Sequence, residues 1–462
     1  MAAISWNVGG GTSAGIGGDG VWDLTTVNWF EAGDVPGSGS SVSFTNGDSV
    51  SFNAESVNDL PYTVTLSTGG VGVTLSGLSN FGSSLTLIGD PTETLGLTGV
   101  IQANGVLEIA VPIVSGDIQL IGFINGSDVL TLSGTHTTTG ALSLESNIIQ
   151  INGEMTQLGS VFVGERGTLS GSGIIRSTST VIIEGTLAGS LTFDADVNIN
   201  DGVAGALMTS VADDTIQLLG TAELTQKINS GFGDDTITSS SGSIITGTVL
   251  GSRGDDLIFL SGAVNGTVRG GAGDDTINLS DSAGFAAVVG GRGNDILTGG
   301  TAGALLRGGR GNDTITMATG TTTDSKLEGG DGNDTIICGD GNDLIYGGAD
   351  RDLMTGGGGA DLFTFRDFGD FNATGAADRI TDFTQGQDVI RLHGIDADSI
   401  ASGNQNFTFI GNAGFSGTAG ELRAKIQNGQ TVVRGDVDGD GVADFAVVLT
   451  GEMTLTADDF AL

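Results

Sequence analysis

The chain has 462 residues, including 83 Gly and only 4 Pro, with 38% apolar residues and a formal charge of −39 from 55 acidic and 16 basic side chains. Collagen is excluded, since it needs a three-residue glycine period and abundant Pro. Nucleic acid is excluded as a partner because phosphate binding needs a cationic footprint, and so much negative charge destabilises a compact state unless cations neutralise it.

Residues 1–205 are rich in Gly, Ser and Thr, with no Lys or Arg before Arg166. The opening MAAISWNVGG has neither a charged n-region nor an apolar h-region, so no N-terminal secretion signal is expected. No stretch reaches the ~18 apolar residues of a transmembrane helix. Alternating apolar runs follow: YTVTLS from Tyr62, SLTLIG from Ser84, VLEIAV from Val106, VLTLSG from Val129 and VIIEGT from Val181. Such rungs predict stacked β coils, each burying its apolar face against its neighbours, with a β-sandwich as the alternative. Trp6, Trp22 and Trp29 are expected to cap the open end, a glycan-stacking patch being the competing reading. His136, in GTHTTTG, is expected in a turn.

Residues 206–365 form a repeat array. A degenerate copy, ADDTIQ with Asp214, precedes aspartates of a GDD or GND motif at Asp235, Asp256, Asp275, Asp295, Asp313 and Asp334, spaced by 21, 19, 20, 18 and 21 residues. From there the period drops to nine: GGDGNDTII, CGDGNDLIY, GGADRDLMT and GGGGADLFT place Asp343, Asp352 and Asp361. The nonapeptide reads G-G-x-G-x-D-x-U-x, where U is a large aliphatic such as Leu297, Ile315, Ile336, Ile345, Met354 or Phe363. Glycines permit positive φ and close backbone approach. A turn of this kind can aim carbonyl oxygens beside the Asp carboxylate, and the U residue drives the following strand into the core. Two nonapeptides make one coil, so turns on one edge stack about every 18 residues.

Stacked carboxylates and carbonyls supply the six to eight hard oxygens that Ca²⁺ prefers, whereas Zn²⁺ would want His or Cys. Several calcium ions are therefore expected, held by Asp235, Asp256, Asp275, Asp295, Asp313, Asp334, Asp343, Asp352 and Asp361. Backbone oxygens are expected from Gly271, Gly291, Gly293, Gly309, Gly311, Gly330, Gly332, Gly339, Gly341 and Gly348. One edge should carry the main column through Asp352, while Asp343 and Asp361 begin a second. Cys338, the only cysteine, fills the first slot of a repeat as a small turn residue and excludes an intrachain disulfide.

Residues 366–462 read as a mixed β cap with strands in ADRITDF, DVIRLHG, ELRAKI, TVVRGD and FAVVLT. The DVDGDGVAD segment, Asp436 to Asp444, has the look of a calcium loop, but an EF-hand would place Glu where Val447 stands and would need flanking helices. It is read first as an acidic turn. The fold class is all-β: an N-terminal β-helix-like or β-sandwich domain, a parallel calcium β-roll, and a C-terminal β cap.

The repeats resemble the repeats-in-toxin (RTX) family of calcium-dependent secreted bacterial proteins. ADRITDFTQGQDVIRLHGIDAD, GNAGFSGTAGELRAK and VRGDVDGDGVADFAVVLTGEMTLTADDF are similar to the C-terminal domain of serralysin-type metalloproteases. The resemblance covers roughly residues 210–462. It implies type I export from a Gram-negative bacterium through an uncleaved C-terminal signal, to which LTADDFAL is similar, and folding on reaching calcium outside the cell. It does not bring the protease, which needs H-E-x-x-H, whereas this chain has two histidines, His136 and His393. His393 is expected to be structural. WNVGGG, VWDLTTVNWF and GTLSGSGII more weakly resemble autotransporter passenger β-helices.

The function expected from these readings is a secreted, non-catalytic protein of the cell surface that self-assembles with calcium into a surface layer or extracellular matrix. The alternative is a calcium-stabilised adhesin that binds cells or glycans, with cell-surface polysaccharide as a partner. A polysaccharide lyase or epimerase would need clustered Tyr, His, Lys or Arg beside carboxylates. The first 205 residues offer only Tyr62, His136, Arg166 and Arg176, and no Lys.

Overall fold

The computed structural model describes strand backbone from residue 3 onward and, from residue 129 to 462, most side chains as well. Outside it lie the connections between the earlier strands and residues 134, 139–140, 145–147, 178, 201–202, 210–211, 367 and 372–376. The chain divides into two compact units, Met1–Ser230 and Gly231–Leu462.

In the first unit the strands stack in parallel. Ile148–Ile151 pairs with Val129–Leu132 on one side and Thr168–Gly171 on the other. Ser160–Val163 lies between Ala141–Leu144 and Val181–Ile183 in the same way. This is the β-helix alternative; a sandwich would need antiparallel hairpins. Side-chain alternation sends Ile149, Leu169, Val161 and Val181 inward, none more than 1% exposed. Arg176 joins neighbouring coils by ion pairs with Glu154 and Asp194. The expected tryptophan cap falls on residues whose side chains lie outside the description.

His136 corrects the sequence reading. It stands in the strand Thr135–Thr138, fully buried and in register with Met155. The T-H-T alternation turns the imidazole inward, and burial pushes its pKa down to about 4, so it is neutral in the core. His393 is exposed in a turn after the strand Val389–Arg391.

The second unit is a roll of two parallel sheets. The first sheet runs from Thr236–Ser239 through Leu257–Phe259, Thr276–Asn278, Ile296–Thr298, Thr314–Thr316 and Thr335–Ile337 to Leu353–Thr355 and Asp378–Ile380. The second runs from Thr248–Arg253 through Thr267–Ala272, Ala286–Arg292, Ala304–Arg310, Lys326–Asp331 and Leu344–Ala349 to Leu362–Thr364 and Val389–Arg391. Each rung contributes one central inward side chain. Ile237, Ile258, Ile277, Leu297, Ile315, Ile336, Met354 and Ile380 form one column, and Val249, Val268, Val288, Leu306, Leu327, Ile345, Phe363 and Ile390 the other, none above 1% exposed. The U positions of the repeat build the first column and, with Ile345 and Phe363, the last repeat rungs of the second.

The roll ends in antiparallel structure. Glu421–Gln427, Gln430–Asp436 and Phe445–Thr450 form a meander whose last strand pairs in parallel with Asp378–Ile380. Phe460–Ala461 pairs with Val389–Arg391, so the C-terminal segment covers the other sheet's last edge. Unpaired strand edges invite aggregation, and these additions remove them. Phe445 stacks on Phe371 at 4.2 Å and meets Phe407 edge-on, fixing the meander over its own small core.

Most turns use glycine where φ is positive, but the turn GGADRD places Asp350 there, at φ 79. A non-glycine residue in that region costs roughly 1–2 kcal/mol. Asp350 is exposed, so Asp350→Gly should raise calcium-loaded stability by about 1 kcal/mol. Denaturant unfolding tests this; a stability drop would mean that the side chain itself holds the turn.

Candidate metal centre

Each repeat turn is built around a buried carboxylate. In GGRGND, Gly291 and Gly293 take φ 134 and φ 114. The first glycine, Gly290, packs so closely that a Cβ there would lie 2.2 Å from the Asp295 carboxylate. Gly270, Gly308, Gly329 and Gly347 meet Asp275, Asp313, Asp334 and Asp352 in the same way, at 2.1, 2.1, 2.2 and 2.3 Å. Glycine is required there because the carboxylate occupies the space of a side chain.

The aspartates bridge successive rungs. The N–H of Asp235 donates to Oδ1 of Asp256, that of Asp256 to Asp275, Asp275 to Asp295, Asp295 to Asp313, Asp313 to Asp334 and Asp334 to Asp352, at 2.7–3.0 Å. A second ladder runs along the other edge. Ser325 N–H donates to Asp343, and Asp343 N–H to Asp361. The structure thus places the nine sequence-assigned aspartates in two columns, seven in one and Asp343 with Asp361 in the other.

The ten assigned glycines line the same turns. Gly271, Gly291, Gly309, Gly330 and Gly348 are in register on adjacent rungs. A Cβ on Gly309 would lie 2.2 Å from the Gly291 carbonyl oxygen, and one on Gly311 2.1 Å from that of Gly293. Gly332 packs likewise on Gly311, while Gly339 and Gly341 lie beneath Gly357 and Gly359 on the second edge.

Two further aspartates extend the ladders. Asp378 accepts from Asp352 N–H at 2.8 Å, and Asp388 from Asp361 N–H at 3.0 Å. Their separations of 26 and 27 residues break the repeat period. The available signal was Asp two residues before a buried aliphatic, as in DRI and DVI. The preceding residue of each motif forms an outer ladder that the sequence reading also missed. Here the direction reverses: Asp255 N–H donates to Asp234, Asp274 to Asp255, Asn294 to Asp274 and Asn312 to Asn294. Each D-D or N-D pair therefore clamps one coil to both neighbours.

Before the second column begins, the other edge is held by hydroxyls. Ser282 Oγ accepts from Val264 and Gly284 N–H, and Thr321 Oγ1 donates to the Ala318 carbonyl at 2.7 Å, with the Gly300 carbonyl at 3.3 Å.

In the main columns one carboxylate oxygen remains without a partner. Oδ2 of Asp256, Asp275, Asp295, Asp313, Asp334, Asp352, Asp361 and Asp378 is buried with no hydrogen bond from the protein. Burial, opposed only in part by the backbone N–H, pushes Asp275, Asp334 and Asp352 up to about 8. Asp256, Asp295, Asp361 and Asp378 rise to about 7, and Asp313 to about 6, with neighbouring carboxylates adding to most of these shifts. A buried, unpaired anion is costly and takes up either a proton or a cation. Stacked carboxylates beside glycine carbonyls are a hard-oxygen donor set, consistent with bound cations such as Ca²⁺. A cation on Oδ2 would supply the missing partner while Oδ1 keeps its backbone bond.

The family described as peptidase M10 serralysin C terminal matches residues 167–462. The chain belongs to this family. The serralysin C-terminal domain is typical of secreted proteins, and the match concerns that domain, not a peptidase catalytic part. No curated protein matches the chain. Among solved structures, the solution structure of the AlgE6R2 subunit from the Azotobacter vinelandii mannuronan C5-epimerase is 28% identical over 37% of this chain and 89% of that one, with a TM-score of 0.25. No helix among the described residues is long and apolar enough to cross a membrane.

Within the serralysin C-terminal region, the DVDGDGVAD loop brings Asp436, Asp438 and Asp444 within 4.8 Å of one another. Asp436 accepts from Gly439 and Gly441 N–H, and Asp444 from Val437 N–H. Backbone donors thus occupy both oxygens of the buried member, and they account for the acidic turn.

Asp275→Asn should separate charge from hydrogen bonding. Asn keeps an acceptor for Asp256 N–H but removes the anion. The variant should be more stable than the parent in chelator at pH 8 and gain less from Ca²⁺. Asp275→Ala should lose about 1–3 kcal/mol in both states. Equal calcium stabilisation of parent and Asn variant in thermal melts would remove Asp275 from the metal site.

The metal-free roll should also have a defined pH response. The folded pKa values lie above the ordinary carboxylate value of 3.8. Their stabilising contribution is therefore complete below about pH 4 and is lost as pH rises through about 6–8. In chelator, the melting temperature of the roll transition should fall from pH 5 to pH 8. Saturating Ca²⁺ should largely abolish the slope. A flat profile in chelator would show that these carboxylates are not protonated in the metal-free fold.

Proposed function

We propose that this chain is a secreted, non-catalytic structural protein of the bacterial cell surface that folds on calcium and self-assembles into a layer or extracellular matrix. The carrying observation is the pair of aspartate ladders, with their column of buried, partnerless carboxylate oxygens. A roll built this way is weakened by its own charge where calcium is scarce and stabilised where it is plentiful, by ordinary ligand linkage. That suits a protein exported unfolded by a type I route, as the likeness of LTADDFAL to a C-terminal export signal suggests.

The outer face of the first roll sheet supports lateral association. Over the seven rungs from Thr236–Ser239 to Leu353–Thr355, the outward first and third positions are Thr, Asn, Leu, Ile or Phe, with no charged side chain. Leu257, Phe259, Ile296, Ile337 and Leu353 are 38–50% exposed there. Two copies of a chain with charge −39 repel over most of their surfaces, and a charge-free face is where they can approach.

Electron microscopy with and without Ca²⁺ tests the proposal. Wild-type protein should form sheets or filaments that dissolve in chelator. Leu257→Glu with Leu353→Glu should abolish them while leaving calcium-induced folding, read by circular dichroism, unchanged. A wild-type chain that stays monomeric at all calcium and protein concentrations would sink the reading.

A further inference from the structure

We propose that the outer face of the second roll sheet binds an acidic polysaccharide through its carboxylates. The inference does not depend on self-assembly.

The chain has 16 basic residues, and five of them, Arg253, Arg269, Arg292, Arg307 and Arg310, fall on the four consecutive rungs from Thr248–Arg253 to Ala304–Arg310. They project outward and are exposed. The remaining outward positions of these rungs are Thr, Leu, Ser, Ala, Val and Gly, with no carboxylate. Acids return only on the next rung, with Glu328 and Asp331.

Register sets these arginines in two neighbouring columns, three residues apart along the strands. Arg292 is the direct partner of Arg310, and Ala272 separates Arg253 from Arg292. Val289 separates Arg269 from Arg307. Rungs lie about 4.8 Å apart, so the five charges extend over about 14 Å along the roll axis. Like charges on adjacent strands repel, and a bound polyanion would relieve that repulsion. Arg307 and Arg310 approach Glu328 and Asp331 only at 4.0 and 3.6 Å, with their side chains 61% and 69% exposed, so their guanidinium forks remain open to a ligand. Arg253 already lies over the Phe232 ring at 4.8 Å, which fixes one end of its column.

The chemistry favours a uronate chain. Guanidinium presents paired N–H donors that match a carboxylate. A uronate chain carries one charge per sugar, comparable with one or two arginines per rung. Duplex nucleic acid carries one charge about every 1.7 Å, far denser than these short columns can neutralise. In the outer turn ladder, Asp234, Asp255 and Asp274 give way to Asn294 and Asn312 beside Arg292 and Arg310. The adjacent carboxylates are thereby removed where the arginines are densest.

The test uses the full calcium-saturated chain and short oligogalacturonates, with neutral dextran oligomers and a DNA oligonucleotide as comparisons, by calorimetry at 50 and 200 mM NaCl. The uronate should bind, weaken as salt rises, and outcompete both comparisons. Arg269→Gln/Arg292→Gln/Arg307→Gln should weaken it at least ~10-fold, the loss expected from one charge-assisted contact. The matching Lys triple should retain part of the affinity, and Arg166→Gln, exposed in the first unit, should change nothing. Calcium-induced circular dichroism checks that every variant folds. The proposal is overturned if the uronate does not bind at 50 mM salt, if DNA binds as tightly, or if the Gln triple binds unchanged. Loss of self-association by the triple without any uronate binding also overturns it, assigning the face to a contact between copies.

Discussion

The second unit depends on an aspartate whose two oxygens have different tasks. One accepts a backbone N–H from the preceding rung and is satisfied by the fold alone. The other is buried against a glycine with no protein donor. Burying that oxygen makes the turn compact and brings carbonyls beside it, but leaves an anion in a low-dielectric site. Either a proton at low pH or a divalent cation would neutralise it. Neither the parallel strands nor the aliphatic columns can supply this partner, so stability is tied to the surrounding solution.

The unequal edges follow from the same electrostatics. A full ladder on both edges of every coil would stack carboxylates throughout the roll. Instead, the second edge begins with hydroxyls, which satisfy backbone groups without charge: Ser282 accepts from two N–H groups and Thr321 donates to the Ala318 carbonyl. Only from Asp343 onward do buried carboxylates line both edges. There the aspartate motif recurs every nine residues, once on each edge, while the coil stays at 18 residues. The two-edged part leads directly into the antiparallel meander. The coils with buried carboxylates on both edges are thus the ones whose strand edges the C-terminal segment caps.

Much of this was legible in the sequence because the repeat encodes both columns in one phase. The U residue two positions after each Asp lands in the core at Leu297, Ile315, Ile336 and Met354. Period alone could not show Asp378 and Asp388, since insertions separate them from the ladder while register restores them. His136 was misplaced because threonine and glycine neighbours look like a turn, whereas alternation in a parallel coil buries every second residue. The N-terminal alternatives were resolved by strand direction, which hydrophobic pattern does not encode. The outer Asx ladder escaped notice because Asp and Asn vary along it, although both supply the same Oδ1 acceptor.

Surface charge shows the same limit of one-dimensional reading. Counted along the chain, Arg269, Arg292 and Arg307 are isolated basic residues in an acidic protein. Coiling with a period near twenty brings residues of successive repeats to adjacent or next-adjacent strands, so isolated charges gather in two neighbouring columns. The opposite sheet concentrates uncharged Thr and aliphatic positions by the same operation. Most of the aspartates are then left to the turns, with Glu328 an exception on the second sheet. A parallel roll thus sorts one sequence into edges lined by buried aspartates, a charge-free face and an arginine-bearing face. Each follows from which position of the repeat points outward, and changing a single position in several repeats would alter one surface while preserving the inward columns that hold the fold.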